Sequence, residues 1–177
     1  MVTLIAAMDK NRLIGTGQGG LPWPAMPRDR EHFRDYTAGK ALLLGRRTFE
    51  EMAGWFREDD RPIVMTGNPD YDPGENCLVA GGLDQALALA GEHGCDELVV
   101  CGGAEIYRLV LPLADRLVLT LLHGSFEAGS RGVFFPAWKA EDFRESRRED
   151  FAIDTRTPLS MTLLRLARRD GGKHTDG

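Results

Sequence analysis

Seven short runs rich in Val, Ile and Leu recur along this chain: Thr3–Met8, Ala41–Gly45, Pro62–Thr66, Cys77–Ala80, Glu97–Cys101, Arg116–His123 and Ser160–Ala167. Successive side chains of a strand point to opposite faces, so a run that is apolar on both faces needs cover above and below. Several of these runs have that character. Helical patterns lie between them and can supply the cover. Arg28–Tyr36 follows Pro27, which suits a first helical turn. Thr48 with Glu51 reads as a capping box opening a short helix. Leu83–His93 repeats Leu and Ala at helical spacing and stops at Gly94, and Ala104–Leu111 ends before Pro112. The alternation predicts an α/β fold, with a central mostly parallel sheet and helices on both faces. The last runs have no helix between them, which predicts an antiparallel C-terminal edge strand. At 177 residues the chain suits a single domain, placed at 1–169. The polar, glycine-containing stretch 170–177 is expected to be a disordered tail.

Composition narrows the function. The formal net charge is −5 and no long basic run occurs, so no nucleic-acid partner is expected. Anionic ligands would need local cations, for which Arg46–Arg47 and Arg28, Arg30, Arg34, Arg57 and Arg61 are available. Cys77, Cys95 and Cys101 form no CxxC pair, and the histidines show no ligand spacing. Neither a disulfide framework nor a metal site is expected. No apolar run approaches the length of a membrane span, and Met1–Met8 is too short for a signal peptide. The expected setting is soluble, reducing and cytoplasmic.

Four stretches carry chemistry. Gly15-Thr16-Gly17-Gln18-Gly19-Gly20 fits GxGxxG, but Asp9–Ile14 separates it from the first strand, and Pro22 and Pro24 block a helix straight after it. A mobile loop whose apolar end, Leu21-Pro22-Trp23, closes over a ligand is the better reading. Asp29 follows Trp23 by six residues and shares a helical face with Phe33, four positions on. Its ordinary role would be to complement the helix dipole. Beside an aromatic it should also be desolvated, with a raised pKa, and able to hold an amino-pyrimidine edge and assist proton delivery. Gly45-Arg46-Arg47-Thr48 ends a strand and starts a helix, either as a phosphate site or as a plain helix start with surface arginines. Gly102-Gly103, between an apolar strand and a helix, allows close backbone approach to a ligand, or is a simple tight turn.

Taken jointly, residues from about 2 to about 167 resemble dihydrofolate reductases. The matching motifs are Ile5-Ala6-Ala7, Ile14-Gly15, Leu21-Pro22-Trp23, Asp29 with Phe33, Gly45-Arg46-Arg47-Thr48-Phe49-Glu50, Gly102-Gly103 with Tyr107, and Leu119-Thr120. The resemblance implies NADPH as hydride donor and dihydrofolate as acceptor. It implies catalytic roles for Asp29, Leu21, Trp23 and Thr120. Ile5, Ala7, Phe33, Met52, Cys101 and Tyr107 would join Asp29 and Thr120 around the substrate. Ala7, Ile14, Gly15, Gly45, Arg46, Arg47, Thr48 and Thr66 would meet the cofactor, with Cys101, Gly102, Gly103, Ala104, Glu105, Ile106 and Tyr107. Arg46 beside a 2′-phosphate would favour NADPH over NADH. The Gly102–Gly103 peptide is expected to be cis. Binding of antifolate inhibitors and a monomeric state are implied as well.

Two departures stand out. The family usually carries an arginine before the Pro62–Thr66 strand that grips the substrate's glutamyl carboxylate. A gapless match puts Asp60 there, so Arg61 is expected to shift into the role while Asp60 turns outward. The family's acidic residue in a Gly-Asp-Thr run before Phe-Pro is absent, since Gly129-Ser130-Arg131-Gly132-Val133-Phe134 precedes Phe135-Pro136. The competing readings are the related NADPH-dependent reductase of riboflavin synthesis, which lacks a match to Asp29, and a non-catalytic NADP-binding protein of the same fold.

Overall fold

In chain order the elements are β1 (Val2–Met8), β2 (Leu13–Gly15), α1 (Pro27–Thr37), β3 (Ala41–Gly45), α2 (Arg46–Glu51), β4 (Arg61–Met65), β5 (Leu78–Ala80), α3 (Leu83–Glu92), β6 (Leu98–Gly102), α4 (Ala104–Val110), β7 (Arg116–Leu122), β8 (Val133–Phe134), β9 (Phe143–Phe151) and β10 (Met161–Arg168). The computed structural model describes residues 1–57 and 60–169, so the expected tail at 170–177 lies outside the described residues. Eight strands form one sheet in the order β5-β4-β3-β6-β1-β7-β10-β9. The pairs from β5 through to β7 are parallel, and β10 runs antiparallel to both β7 and β9.

Neighbouring residues of one strand serve different layers, as the apolar runs require. Leu4, Leu43 and Val100 pack with Ala86 and Ala90 of α3 and Tyr107 and Val110 of α4. Ile5, Leu42, Leu44 and Val99 pack with Tyr36 and Phe33 of α1 and Phe49 of α2. Leu42, Leu43 and Leu44 are at most 1% exposed. Each such side chain contributes about 1.5–3 kcal/mol relative to leaving it in water.

Helix α1 is tied at both ends. Near its C-terminus the Tyr36 hydroxyl donates to Glu97 (2.7 Å), which also accepts from Thr3 (2.5 Å) and pairs with Lys40 (2.9 Å). Burial alone would raise the pKa of Glu97, but the hydroxyls of Thr3 and Tyr36 and the Lys40 ammonium hold it below the usual range. At the other end Arg28 donates to Thr157 (2.9 Å), pairs with Asp154 (2.9 Å) and stacks on Phe151.

Several sequence expectations needed correction. The capping box does not form: Gly45 is the N-cap of α2, no side chain caps it, and Thr48 lies inside the helix. The chain already turns at Gly45, where an added Cβ would meet Ile106 at 3.2 Å. The antiparallel edge has two strands. Beyond β10 lies β9, an exposed charged strand (FRESRREDF) with no apolar run to betray it. Such charge suits a sheet edge. The small pair β2–β8 was also missed, being only 3 and 2 residues long. Among the described residues no helix is long and apolar enough to cross a membrane.

Candidate active site

A cleft of about 1270 Å³ opens across the C-terminal ends of β1, β3, β4, β6 and β7. In open parallel sheets that is where ligands bind. Its volume exceeds the ~300–1,000 Å³ of a typical single-ligand pocket. Apart from Arg61, every residue to which the resemblance gives a catalytic, substrate or cofactor role lines it, from Ile5 and Ala7 through the Gly45–Thr48 turn to Tyr107 and Thr120, whereas the candidate cations Arg28, Arg34 and Arg57 do not.

Asp29 sits in the first turn of α1, at the cleft wall. Burial raises its pKa, against the opposing influence of the neighbouring Thr120 hydroxyl and the Arg30 charge. Thr120 itself is buried and stands opposite Ala7 in the β1–β7 pairing. The carboxyl therefore keeps its proton to higher pH than a solvated aspartate, as a group serving proton delivery requires. Trp23 is buried against Phe126, yet its Nε1 has no partner among the described residues. A buried N–H left so is costly unless a ligand or water meets it. Phe33 and Met52 complete this end of the cleft, and Trp55 meets Phe33 edge-on at 6.4 Å.

The other end is built from backbone. Neither α2 nor α4 has a side-chain cap, so the amides opening each helix face the cleft without a partner from a capping residue. Arg46 and Arg47 stand beside them, with Arg46 in an exposed pair with Glu50 (3.1 Å) that a stronger anion can displace. The Gly102–Gly103 peptide is cis. Gly102 has φ +117°, and an added Cβ would meet the Tyr107 ring and hydroxyl at 3.2–3.3 Å. That ring is buried, and its hydroxyl donates to the Ile5 carbonyl (2.6 Å), which joins α4 to β1. Burial pushes the tyrosine pKa well up, so it serves as a fixed donor.

The glycine-rich segment is a loop and no helix follows until Pro27. It docks on the segment lacking the family's acidic residue. β2 pairs with β8, and Gly17, at φ +70°, lies so close to Arg131 that a Cβ would stand 2.1 Å from its carbonyl oxygen. The contact is made by backbone, without an acidic side chain. Leu21, 57% exposed, lies on the cleft side of this loop.

Arg61 is not among the cleft residues, and its Nη1 donates to the Asp60 carbonyl (3.0 Å). Asp60 does not turn outward. It is 5% exposed, one carboxylate oxygen accepts from the Arg57 amide (2.7 Å), and the other has no partner among the described residues. The strand starts at Arg61, so the preceding residue is drawn inside with it. Sequence reasoning gave no role to several cleft residues, His32 and Trp55 among them. His32 lies one turn past Asp29, which was a usable signal. Its Nε2 is buried without a partner among the described residues, and burial, then Arg165, lower its pKa. Trp55 follows α2 in a loop, where no periodicity could assign it a direction.

The family model for dihydrofolate reductase matches residues 1–168. The chain is 34% identical to dihydrofolate reductase of Bacillus subtilis over 173 residues, covering 98% of each chain. It is also 34% identical to dihydrofolate reductase type 3 of Salmonella typhimurium, covering 96% of this chain and 99% of that one. Among solved structures, dihydrofolate reductase from Enterococcus faecalis, complexed with NADP(H) and RAB-propyl, superposes with a TM-score of 0.84. That match has 30% identity and covers 96% of this chain and 97% of the other.

Two expectations follow from this geometry. In the window between the unfolded-state pKa of Asp29, about 3.9, and its raised folded-state value, the folded protein binds the extra proton, so stability falls as pH rises through it. Asp29→Asn carries no buried charge and should melt at a higher temperature than the parent at pH 7. The gap should close as pH is lowered toward about 4. Thermal unfolding across pH checks this, and an equal or lower Tm at pH 7 contradicts it. Gly17→Ala should undock the loop. Gly20→Ala shares the positive φ but meets nothing within 4 Å, so it should incur only the backbone cost of about 1–2 kcal/mol. Hydrogen exchange of residues 13–20 should rise in the first variant well beyond the second.

Proposed function

The chain belongs to the dihydrofolate reductase family, and on that premise we propose how its cleft divides the work of the reaction. The protein reduces 7,8-dihydrofolate to 5,6,7,8-tetrahydrofolate with NADPH. The observation that carries the assignment of roles is a single desolvated carboxylate, Asp29, beside Thr120 in a cleft with two uncapped helix starts at its far end.

The residues present fit the cofactor. The free amides at the start of α2 and around Gly102–Ala104 would hold its phosphates, with Arg46 and Arg47 supplying charge and Thr48 and Thr66 hydroxyls. Arg46 would meet the 2′-phosphate. Ala7, Ile14, Gly15 and the segment from Cys101 to Tyr107 would flank the nicotinamide end. When bound, NADPH supplies the hydride that carbon 6 of the pterin accepts.

The chain's own residues supply the rest. Asp29 holds the amino-pyrimidine edge of the pterin and, through its raised pKa, keeps a proton available for nitrogen 5. Thr120 orients that carboxylate. The unpartnered Trp23 N–H would hold a water beside it. Ile5, Phe33, Met52 and Cys101 form apolar walls that keep bulk water away. Leu21 closes over the reacting rings from the docked loop. Arg61 is left out of this reading because it lies off the cleft. The protein is taken to act as a monomer, and the reaction suits the cytoplasm. Antifolates would occupy the Asp29 end.

The test follows NADPH absorbance with and without dihydrofolate, then with an antifolate. Oxidation should require dihydrofolate and stop with the inhibitor. Asp29→Asn should lose most turnover at neutral pH and less at acid pH, where the substrate needs less help to protonate, with NADPH binding little changed. A near-parental rate at neutral pH removes the role given to Asp29. Arg46→Ala should weaken NADPH about 10- to 100-fold while barely altering NADH, since a charge-assisted phosphate contact is worth ~1.5–3 kcal/mol. Equal losses for both cofactors remove the phosphate assignment.

A further inference from the structure

On the other face of β1 and β7 lies a second cavity, of about 310 Å³. Strand alternation separates it from the cleft. Ala7 and Thr120 are paired across the two strands and line the cleft, while the next pair, Met8 and Leu121, lines the second cavity. Trp138 adds an aromatic surface, and Lys10, Arg12, His123 and Arg148 bring basic side chains to the same space. The lining carboxylate, Asp9, pairs with none of them. It is 1% exposed, and its oxygens accept from the amides of Asn11 (2.8 Å), Leu13 (2.9 Å) and Phe126 (3.1 Å). Lys10 and Arg12 have no ion pair among the described residues. Arg148 has only exposed pairs, with Asp150 (3.2 Å) and Glu145 (4.0 Å), which a stronger anion can displace.

Two further observations mark this cavity. Arg12 has φ +65°, in the tight turn where its amide donates to the Asp9 carbonyl (2.9 Å). The other non-glycine residue at positive φ among those described is Asn76, a type that tolerates the left-handed region. Glycine would suit position 12 better, so the guanidinium is kept there against a backbone cost. The imidazole of His123 is also held in place. The Thr162 hydroxyl spends its one hydrogen on Asp150 (2.5 Å), so the 2.8 Å contact from His123 Nε2 to the same oxygen requires that Nε2 carry the proton. We infer that this cavity binds a small aromatic anion, a phosphate or phosphonate on a flat ring. The basic groups take its charged oxygens and Trp138 takes the ring. The volume lies at the low end of the ~300–1,000 Å³ of ligand pockets, which suits one ring and its anionic group. The site also touches the base of the closing loop. The Arg12 carbonyl accepts from the Phe135 amide (2.8 Å), and β2 begins at the next residue. An occupant held by Lys10 and Arg12 therefore stiffens the turn from which that loop departs.

Phenylphosphonate is the probe, titrated calorimetrically at low salt into the full chain, with and without saturating NADPH. The parent should bind it at one site, equally in both conditions. Loss of binding on NADPH saturation would place the anion in the cleft and overturn the inference, as would no binding by the parent at millimolar probe. Lys10→Gln and Arg12→Gly should each weaken binding about tenfold or more, since each removes a charge-assisted contact. Arg12→Gly should melt no lower than the parent, because glycine accepts the left-handed backbone. A lower melting temperature with unchanged binding would make Arg12 a structural residue and overturn its role. Inorganic phosphate should bind several-fold more weakly than phenylphosphonate, and equal affinities would overturn the aromatic part of the assignment. Hydrogen exchange at residues 9–15 should slow when the probe is bound to the parent. In Lys10→Gln at the same probe concentration it should slow much less, and an equal effect in both would show that the probe acts from elsewhere.

Discussion

The Glu97 carboxylate gathers Thr3 from β1, Tyr36 from α1 and the Lys40 ammonium just before β3. That single cluster fastens the C-terminal part of α1 to the sheet, and Arg28 fastens the other end to the β9–β10 connection. A helix held at both ends cannot slide along the sheet, so Asp29 stays at the mouth of the strands and out of bulk water. Most of the site's chemistry depends on that placement. The raised pKa of Asp29 comes first from burial, and burial exists only while α1 lies against the sheet.

The two halves of the cleft use different physics. Around Asp29 the walls are side chains, and their apolar character sets the energy of one proton. At the α2 and α4 starts the working groups are backbone amides, brought close because glycine occupies the turning points at 45, 102 and 103. A parallel sheet ends all its strands on the same side, which is why both halves open into a single cleft. The loop between β2 and α1 covers it. Its docking through Gly17 against the Arg131 carbonyl supplies a contact for which the chain has no acidic side chain.

The strand and helix order was legible because covered parallel strands demand continuous apolar runs, and these seldom occur otherwise. The same logic hid β9, whose exposed edge position calls for charge instead of apolar residues. Asp29 was found because a carboxylate one helical turn from Phe33 has a definite direction, and His32 lay within reach of the same reasoning. Helical periodicity places Arg30 and Arg34 off the Asp29–Phe33 face. Their shared contact with Trp55, which approaches from a loop, lies beyond what that periodicity can show.

By itself the sequence determined the layered sheet, the family, the Asp29 pocket and the two glycine-marked turns. These depend on local periodicity and on residue types with few alternatives. Only the tertiary structure decided that Asp60 goes inside while Arg61 leaves the cleft, that Gly45 and not Thr48 opens α2, and that two arginines of α1 share one indole. Each of these turns on which group reaches a given point in space first. Spacing along a chain sets that order within a helix or a strand, but not between segments that meet only after folding.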